Sequence, residues 1–500
     1  MRERTLGERA GRAGRRLVWI VVLGVVVALV ALMLWSGTEA PTAKLGQPIG
    51  VVGKSSKVGV SLTAGRTGLS HWEARLRDGA GKSVTVAQED VPSGGFLGSG
   101  VRSRDVELVI EPETAGLAEG PATLEVWAND HRWTSGWRGP QLVLEQPLTI
   151  DLTPPRVSAL GGQHHVTLGG SDAVIYEATE DTEVSGVQVG RYFFPGTPLP
   201  GARPGTKVAV YAIPHDVPPD VVPVVVARDG AGNERIARFP IERKNRNFPS
   251  EEIEITDDFL GRKVPDLLRE NKLPVPARLL DGYLVVNREL RRTSEERLKK
   301  ITANSAPEAL FEQSFLQQPG SQVRSAFAES RTYKYGGEVV DRQTHLGYDL
   351  ASLKNAPVAA ANDGKVLFVG SLGIYGDAVV IDHGLGLSTL YAHLSSMQVG
   401  EGEDVKRGQP VGRTGETGLA GGDHLHFSVL LRGVHVDPIE WWDGRWIRHH
   451  LQDMIAEVRA ETAATAGAAP AADASAAGAG TVAPAAGTAP QPTAPGAATP

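Results

Sequence analysis

The 500-residue sequence predicts a multidomain, mainly β protein, α+β overall. Three observations carry that reading. A charge-free apolar run at 17–35 follows an arginine-rich start. Short alternating runs punctuated by Gly, Pro, Asp and Asn fill 44–245 and return at 331–443. Helical periodicity is confined to 249–330 and 446–462. A chain of this length exceeds what one apolar core supports, so several domains are expected.

Residues 1–16 carry six arginines (Arg2, Arg4, Arg9, Arg12, Arg15, Arg16) against Glu3 and Glu8. The uncharged run Leu17 to Trp35 would span about 28 Å as a helix, close to the roughly 30 Å hydrocarbon core of a bilayer. The basic flank precedes the run and the next cation is Lys44, so 1–16 is expected in the cytoplasm and 17–35 as a single-pass transmembrane anchor. Trp19 and Trp35 fall near the two interfaces, where aromatic rings prefer to lie. A cleaved signal peptide is the alternative, but its apolar region is usually only about 7–15 residues. Under either reading, residues 41–500 are exported.

Runs such as VGVSLTA, SVTVAQ and TLEVWA at 44–152 predict a β-sandwich, and HHVTLG, AVIYEA and KVAVYAI at 156–245 a second one, with TPPRV at 153–157 as linker. The turn ARDGAGNE at 227–234 resembles turns of bacterial immunoglobulin-like domains, which implies that fold for the sandwiches. His164 and His165 read as strand residues. Residues 249–330 carry helix-start signals and helical spacing, with Thr293 and Glu296 at capping-box separation, and so predict a helical connector. Its place ahead of 331–443 suggests a cover over whatever cleft that segment holds. A closing helix is expected at 446–462. From 463 to 500 the chain is Ala, Pro, Thr and Gly with Asp473 as its one charge, a composition that cannot bury a core and predicts disorder.

A net charge of −7 argues against nucleic acid as a general partner. The absence of cysteine excludes disulfides, thiolate metal sites and cysteine nucleophiles, so any metal must be held by His and carboxylate. Against that background HLGYDL at 345–350 and HLHF at 424–427 stand out. His345 and Asp349 are four apart and His424 and His426 two apart, and strand period two can put each pair on one face. Gly347 leaves room for another group to approach. Together the pairs offer two imidazoles and a carboxylate to one cation, with an imidazole to spare. Three N/O ligands with a fourth position left to water is the composition of a catalytic zinc site. YAHL at 391–394 adds His393 at the end of an alternating run.

HLGYDL, YAHL and HLHF, in that order, resemble the M23 (lysostaphin/LytM-type) zinc metallopeptidases. The resemblance runs through GKVLFVGSLGIYGDAVVIDHGLGLSTLYAHL and VKRGQPVGRTGETG and ends at the VDP of 436–438, covering about 331–443. It implies an antiparallel β-sheet peptidase domain with one zinc ion held by His345, Asp349 and His426. His393 and His424 fall on the family's two non-ligand histidines, which act on the bound water and the developing oxyanion. His383, His435, His449 and His450 are expected to be structural, and Tyr348 to pack. Asp423 where many members have Pro, Ser428 where Glu is common, and the missing FGxR pattern depart from the family without touching a proposed ligand.

Family substrates are peptides of bacterial peptidoglycan. The expected protein is therefore a zinc endopeptidase of the bacterial inner membrane with its catalytic domain in the periplasm. Its β-domains would serve as spacer or as binding module for an envelope protein partner. The alternatives are a non-catalytic LytM-type regulator that activates cell-wall amidases, and an envelope scaffold in which hydrolysis is incidental.

Overall fold

A computed structural model describes residues 4–36, 39–93, 100–132 and 138–467. The expected disordered tail from 468 on, and the side chains of 1–13 and 32–38 with Trp35 and much of the basic flank, lie outside the described residues. The first element is one helix, Arg4–Ser36. Its segment Gly14–Ala31 has a mean hydropathy of 2.1 and contains no buried residue. An apolar helix that packs against nothing is suited to a bilayer or to a signal sequence.

The first β region has a three-stranded and a five-stranded antiparallel sheet, apart from the short parallel strand Val51–Val52. Alternation along Ser56–Thr63 turns Val58, Val60 and Leu62 inward. Trp72, Leu76, Leu124 and Val126 of the other sheet meet them in one core. The second β region has two four-stranded sheets and the parallel pair His164–Thr167 with Ile241–Lys244. The turn at 229–233 bridges the two regions. Asp229 Oδ1 accepts from the backbone N–H of Ala231 and Asn233, and Asn233 Nδ2 reaches Asp151 O at 2.8 Å.

The motif-bearing part is a ten-stranded antiparallel sheet whose central strands are Asp377–Gly384, Leu387–Met397 and Leu425–Leu431. Both faces are covered, so these strands read as apolar runs rather than as alternation. Val379, Ile381, Tyr391, Phe427 and Val429 point to one face. Val380, Leu390, Ala392 and Leu430 point to the other. The first face shares a continuous core with the second β region, joined through Trp441 and the closing helices. The second face is covered by the connector.

The connector expected to be helical contains a strand as well as helices. It opens with strand Ser250–Glu254, which pairs in parallel with Glu329–Tyr335. Helix Asp257–Glu270 follows, capped by Thr256, whose Oγ1 accepts from Phe259 N. Leu279–Val285, a π-turn at Val286–Leu290 and Arg291–Ile301 then form one unbroken helical run. The capping box expected at Thr293 does not form, because the run already begins at Leu279. Its face of Leu280, Tyr283, Val286 and Leu290 is buried, and Thr293 Oγ1 donates back to Leu290 O. The closing helix is also longer than 446–462. From Gly444 it runs through a π-turn at Arg448–Gln452 to Gly467, taking in the first residues assigned to the tail.

A candidate metal centre on the connector face

Period two places His426 on the same face of strand Leu425–Leu431 as Ser428 and Leu430, the face the connector covers. Asp349 is the cross-strand partner of His426, so its carboxylate rises beside the imidazole. His345 arrives differently. It ends strand Glu338–His345 of a separate sheet, whereas Asp349 lies in Tyr348–Ala351. A shared strand face therefore does not bring this pair together; the break at Leu346-Gly347 does. His345 Nε2 lies 2.9 Å from Asp349 Oδ1. At Gly347 the space is taken by His426 itself, since a Cβ there would sit 2.6 Å from its Nε2 and 2.5 Å from Ser428 Oγ.

The hydrogen bonds around the cluster fix where its protons lie. His345 Nδ1 is 3.1 Å from Ala326 O and can only donate to it. Ser428 Oγ gives its proton to Leu346 O at 2.7 Å, so it must accept from His426 Nε2 at 3.0 Å. In the neutral rings, His345 Nε2 and His426 Nδ1 are then bare lone pairs. They face each other at 3.1 Å, and each is 2.9 Å from Asp349 Oδ1. Three acceptors converging without a donor repel one another unless a cation lies between them. Ligand atoms about 2.0–2.1 Å from one tetrahedral zinc would be about 3.3 Å apart, so the donor set fits such an ion. Among the described residues, His345, Asp349 and His426 form the one group of three or more His, Cys, Asp or Glu so arranged.

Two more imidazoles complete the site. His393 and His424 have ring centroids 4.9 Å apart, and His393 lies 5.8 Å from His426. Their Nδ1 atoms lie 2.8 Å from Thr417 O and Gly422 O respectively, leaving both Nε2 atoms free of backbone. His393 is held at φ +61°, a left-handed conformation that a non-glycine residue adopts at a cost of about 1–3 kcal/mol, and such strain concentrates at functional sites. Burial, reinforced by His424 and His426, pushes its pKa well below the ordinary histidine value, so the ring stands neutral. Burial alone would raise the Asp349 carboxyl. A proton carried by His345, and likewise by His424 or His426, supplies charge and a hydrogen bond to the carboxylate and instead holds it well below the carboxylate range.

Residues outside the three motifs orient this cluster. Arg331 donates from Nη2 to Asp349 Oδ2 at 2.8 Å and from Nε to Glu329 Oε1 at 3.1 Å. The Tyr375 ring lies 5.4 Å from His426, and its hydroxyl donates to Glu295 of the connector. The site opens into a cavity of about 100 Å³ lined by all five motif residues together with Arg291, Arg331 and Tyr375. Next to Tyr375, Gly376 at positive φ lets its backbone pass close to that of Thr417, where a Cβ would sit 2.4 Å away. The remaining histidines point elsewhere. His383 bonds Asp363 O and Thr389, His435 bonds Glu295, His450 bonds Asp172 and His449 bonds Asp453. Tyr348 packs edge-on against Trp442 at 5.1 Å.

Fold and site thus define a cluster of two histidines and an aspartate that could hold one metal ion, built on an antiparallel sheet. The profile of Peptidase family M23 matches residues 343–438, so the chain carries a peptidase family M23 domain there. Over 95 residues the chain is 43% identical to a DD-carboxypeptidase/endopeptidase, Mpg, of Neisseria meningitidis, covering 19% of this chain and 22% of that protein. It is 40% identical over 119 residues to the peptidoglycan DD-endopeptidase ShyB of Vibrio cholerae, covering 24% and 27%. The match thus spans about a quarter of these relatives' lengths. Among solved structures, the catalytic domain of lysostaphin from Staphylococcus simulans aligns at 26% identity and a TM-score of 0.22. That alignment covers 26% of this chain and 98% of that domain.

Proposed function

We propose that this chain is a membrane-anchored zinc metalloendopeptidase that hydrolyses peptide bonds of peptidoglycan. The single observation that carries the reading is the set of three acceptors on His345, Asp349 and His426, converging within one small cavity beside two further imidazoles. Zinc, when bound, supplies a Lewis acid and makes a water nucleophile available near neutral pH. His345, Asp349 and His426 would hold it. His393, neutral and with its Nδ1 proton engaged by Thr417, accepts a proton at Nε2 and returns it to the leaving amine. His424, its Nδ1–H engaged by Gly422 O, offers Nε2 as a donor to the developing oxyanion in its protonated form, which Asp349 favours against burial. Arg331 keeps the second oxygen of Asp349 occupied, and so fixes which oxygen faces the ion.

The relatives' activity on peptidoglycan supports the substrate class, and the apolar helix at 4–36 supports an anchor in the inner membrane with the remainder in the periplasm. We further assign 44–152 and 156–245 to immunoglobulin-like sandwiches that space the catalytic unit from the bilayer or bind an envelope protein. The test uses the protein carrying residues 41–467, assayed for metal and incubated with cross-linked peptidoglycan beside a His426→Ala control. About one zinc per chain and soluble peptide fragments absent from the control are expected. Zinc without fragments would overturn the peptidase reading. For the anchor, resistance of the full chain to alkaline extraction from membranes is expected, and release into the soluble fraction would refute it.

A further inference from the structure

Arg291 stands out among the cations of the cleft. It follows the π-turn Val286–Leu290, and π-turns inside helices are frequent at functional sites because the extra residue re-aims the side chains that follow. Its Nε donates to Asn287 O at 3.2 Å and its Nη2 to Asn287 Oδ1 at 2.7 Å. Among the described residues its Nη1 has no hydrogen-bond partner, and Arg291 makes no ion pair. Arg331, by contrast, is held by Asp349 and Glu329. The acid one turn further on, Glu295, is committed to Tyr375 and His435.

Arg291 also lines two neighbouring spaces at once. One is the 100 Å³ cavity of the metal centre. The other is a cavity of about 260 Å³ walled by Ile253, Phe259, Tyr283 and Leu419, with Glu254 and Arg331 as its other charged lining. A partly buried guanidinium that feels Glu295 only through its field and pairs directly with no carboxylate is costly to keep, and its planar fork is shaped for a carboxylate. We infer that Arg291 is the specificity-determining anchor of the substrate groove. It would grip a carboxylate of an acidic peptide whose apolar part fills the 260 Å³ cavity and whose scissile bond lies at the metal centre. The inference rests on the peptidase reading above. It assigns the connector a share in substrate recognition, which its expected role as a cover does not include.

The test uses three peptides of one cleavable sequence: both carboxylates free, the side-chain carboxylate amidated, or the C-terminal carboxylate amidated. Zinc-loaded wild type should show a KM about ten- to hundredfold higher for one amidated form than for the free peptide, with kcat little changed. Which amidation matters tells a side-chain carboxylate from a terminal one. R291Q should raise KM for the free peptide by the same factor and leave that amidated form unaffected, while R291K should recover part of the loss. Equal KM for all three peptides with wild type overturns the inference, whatever the variants do. A loss in R291Q common to all three peptides also overturns it, since that marks a structural role. If wild type cleaves none, the peptidase reading fails by itself. Calorimetric binding of the same peptides to metal-stripped protein then decides on Arg291, with discrimination by amidation supporting it and uniform or absent binding refuting it.

Discussion

Two clusters in this molecule use nearly the same inventory, an aspartate between two histidines, to opposite ends. At the metal centre, Asp349 sits between His345 and His426, and each ring has already spent its proton on Ala326 O or Ser428. At the junction of the second β region with the closing helix, Asp172 receives His164 Nδ1 at 2.9 Å and His450 Nδ1 at 2.8 Å, with the Tyr211 hydroxyl at 3.3 Å. There the rings turn donors toward the carboxylate. Phe239 packs edge-on to His164 and Trp446 stacks on His450. Residue type does not distinguish the two clusters; the partner of each ring's other nitrogen does. One carboxylate is satisfied and serves as a bracket, whereas the other, held by Arg331 at Oδ2, turns Oδ1 toward two bare ring nitrogens.

Breaking the first cluster has the largest expected effect. His426→Ala should lower hydrolysis at least about a thousandfold, roughly 4 kcal/mol, and abolish zinc retention, measured by metal analysis after dialysis. Asp172→Ala should do the reverse. Removing one partner from a buried charged group costs about 3–5 kcal/mol of stability, seen as a lower urea midpoint, while zinc stoichiometry stays unchanged. Loss of zinc in that variant would show that the two clusters are not independent. A smaller effect is expected from Arg331→Met, which frees Asp349 Oδ2. Metal affinity should drop about ten- to hundredfold, read by competition with a chromogenic chelator, with the melting temperature of the metal-free protein changed far less.

The smallest effect concerns pH at the bracket. Glu440 Oε2 accepts from Ser171 N and Oγ, closing the same junction. Burial pushes its carboxyl up to about 7, with Asp437 adding to this and the Ser171 bonds and His450 opposing it. A carboxyl raised in the fold holds its proton there over a range in which the unfolded chain has lost it. Its contribution is therefore complete below about 4.5 and is lost as pH rises toward 7. Between those values, Glu440→Gln should flatten the decline of the urea midpoint. An unchanged slope would remove Glu440 from the account.

The five motif residues were legible because each motif is local and its order along the chain is specific. The geometry that joins them was less so. Strand periodicity is right for His426, whose face is set by Ser428 and Leu430, but it gives the wrong reason for His345 and Asp349, which lie on different strands. Arg331, Tyr375 and Glu295 escaped because they meet partners distant in the chain, and nothing local marks an arginine as serving a carboxylate 18 residues on. Ser428 and Asp423 were visible only as departures from the family. In the fold, Ser428 relays the His426 proton to Leu346 O, and Asp423 ties Thr414 Oγ1 to Asn355 N. The connector's helices were foreseen, but not its parallel strand, since a short edge strand depends on a partner supplied about 80 residues later.

The core shared between the central sheet and the second β region bears on how portable this catalytic unit is. Trp441, Phe311 and Phe315 pack against one another at the seam, and Trp441 Nε1 donates to Ser171 Oγ across it. A fragment trimmed to the sequence-defined boundaries of 331–443 would discard Phe311, Phe315 and the second β region on one face and the connector on the other. Two oily surfaces would be left open to water. Grafting this M23 domain onto a different carrier therefore means moving everything from 156 to 467 as a single cassette.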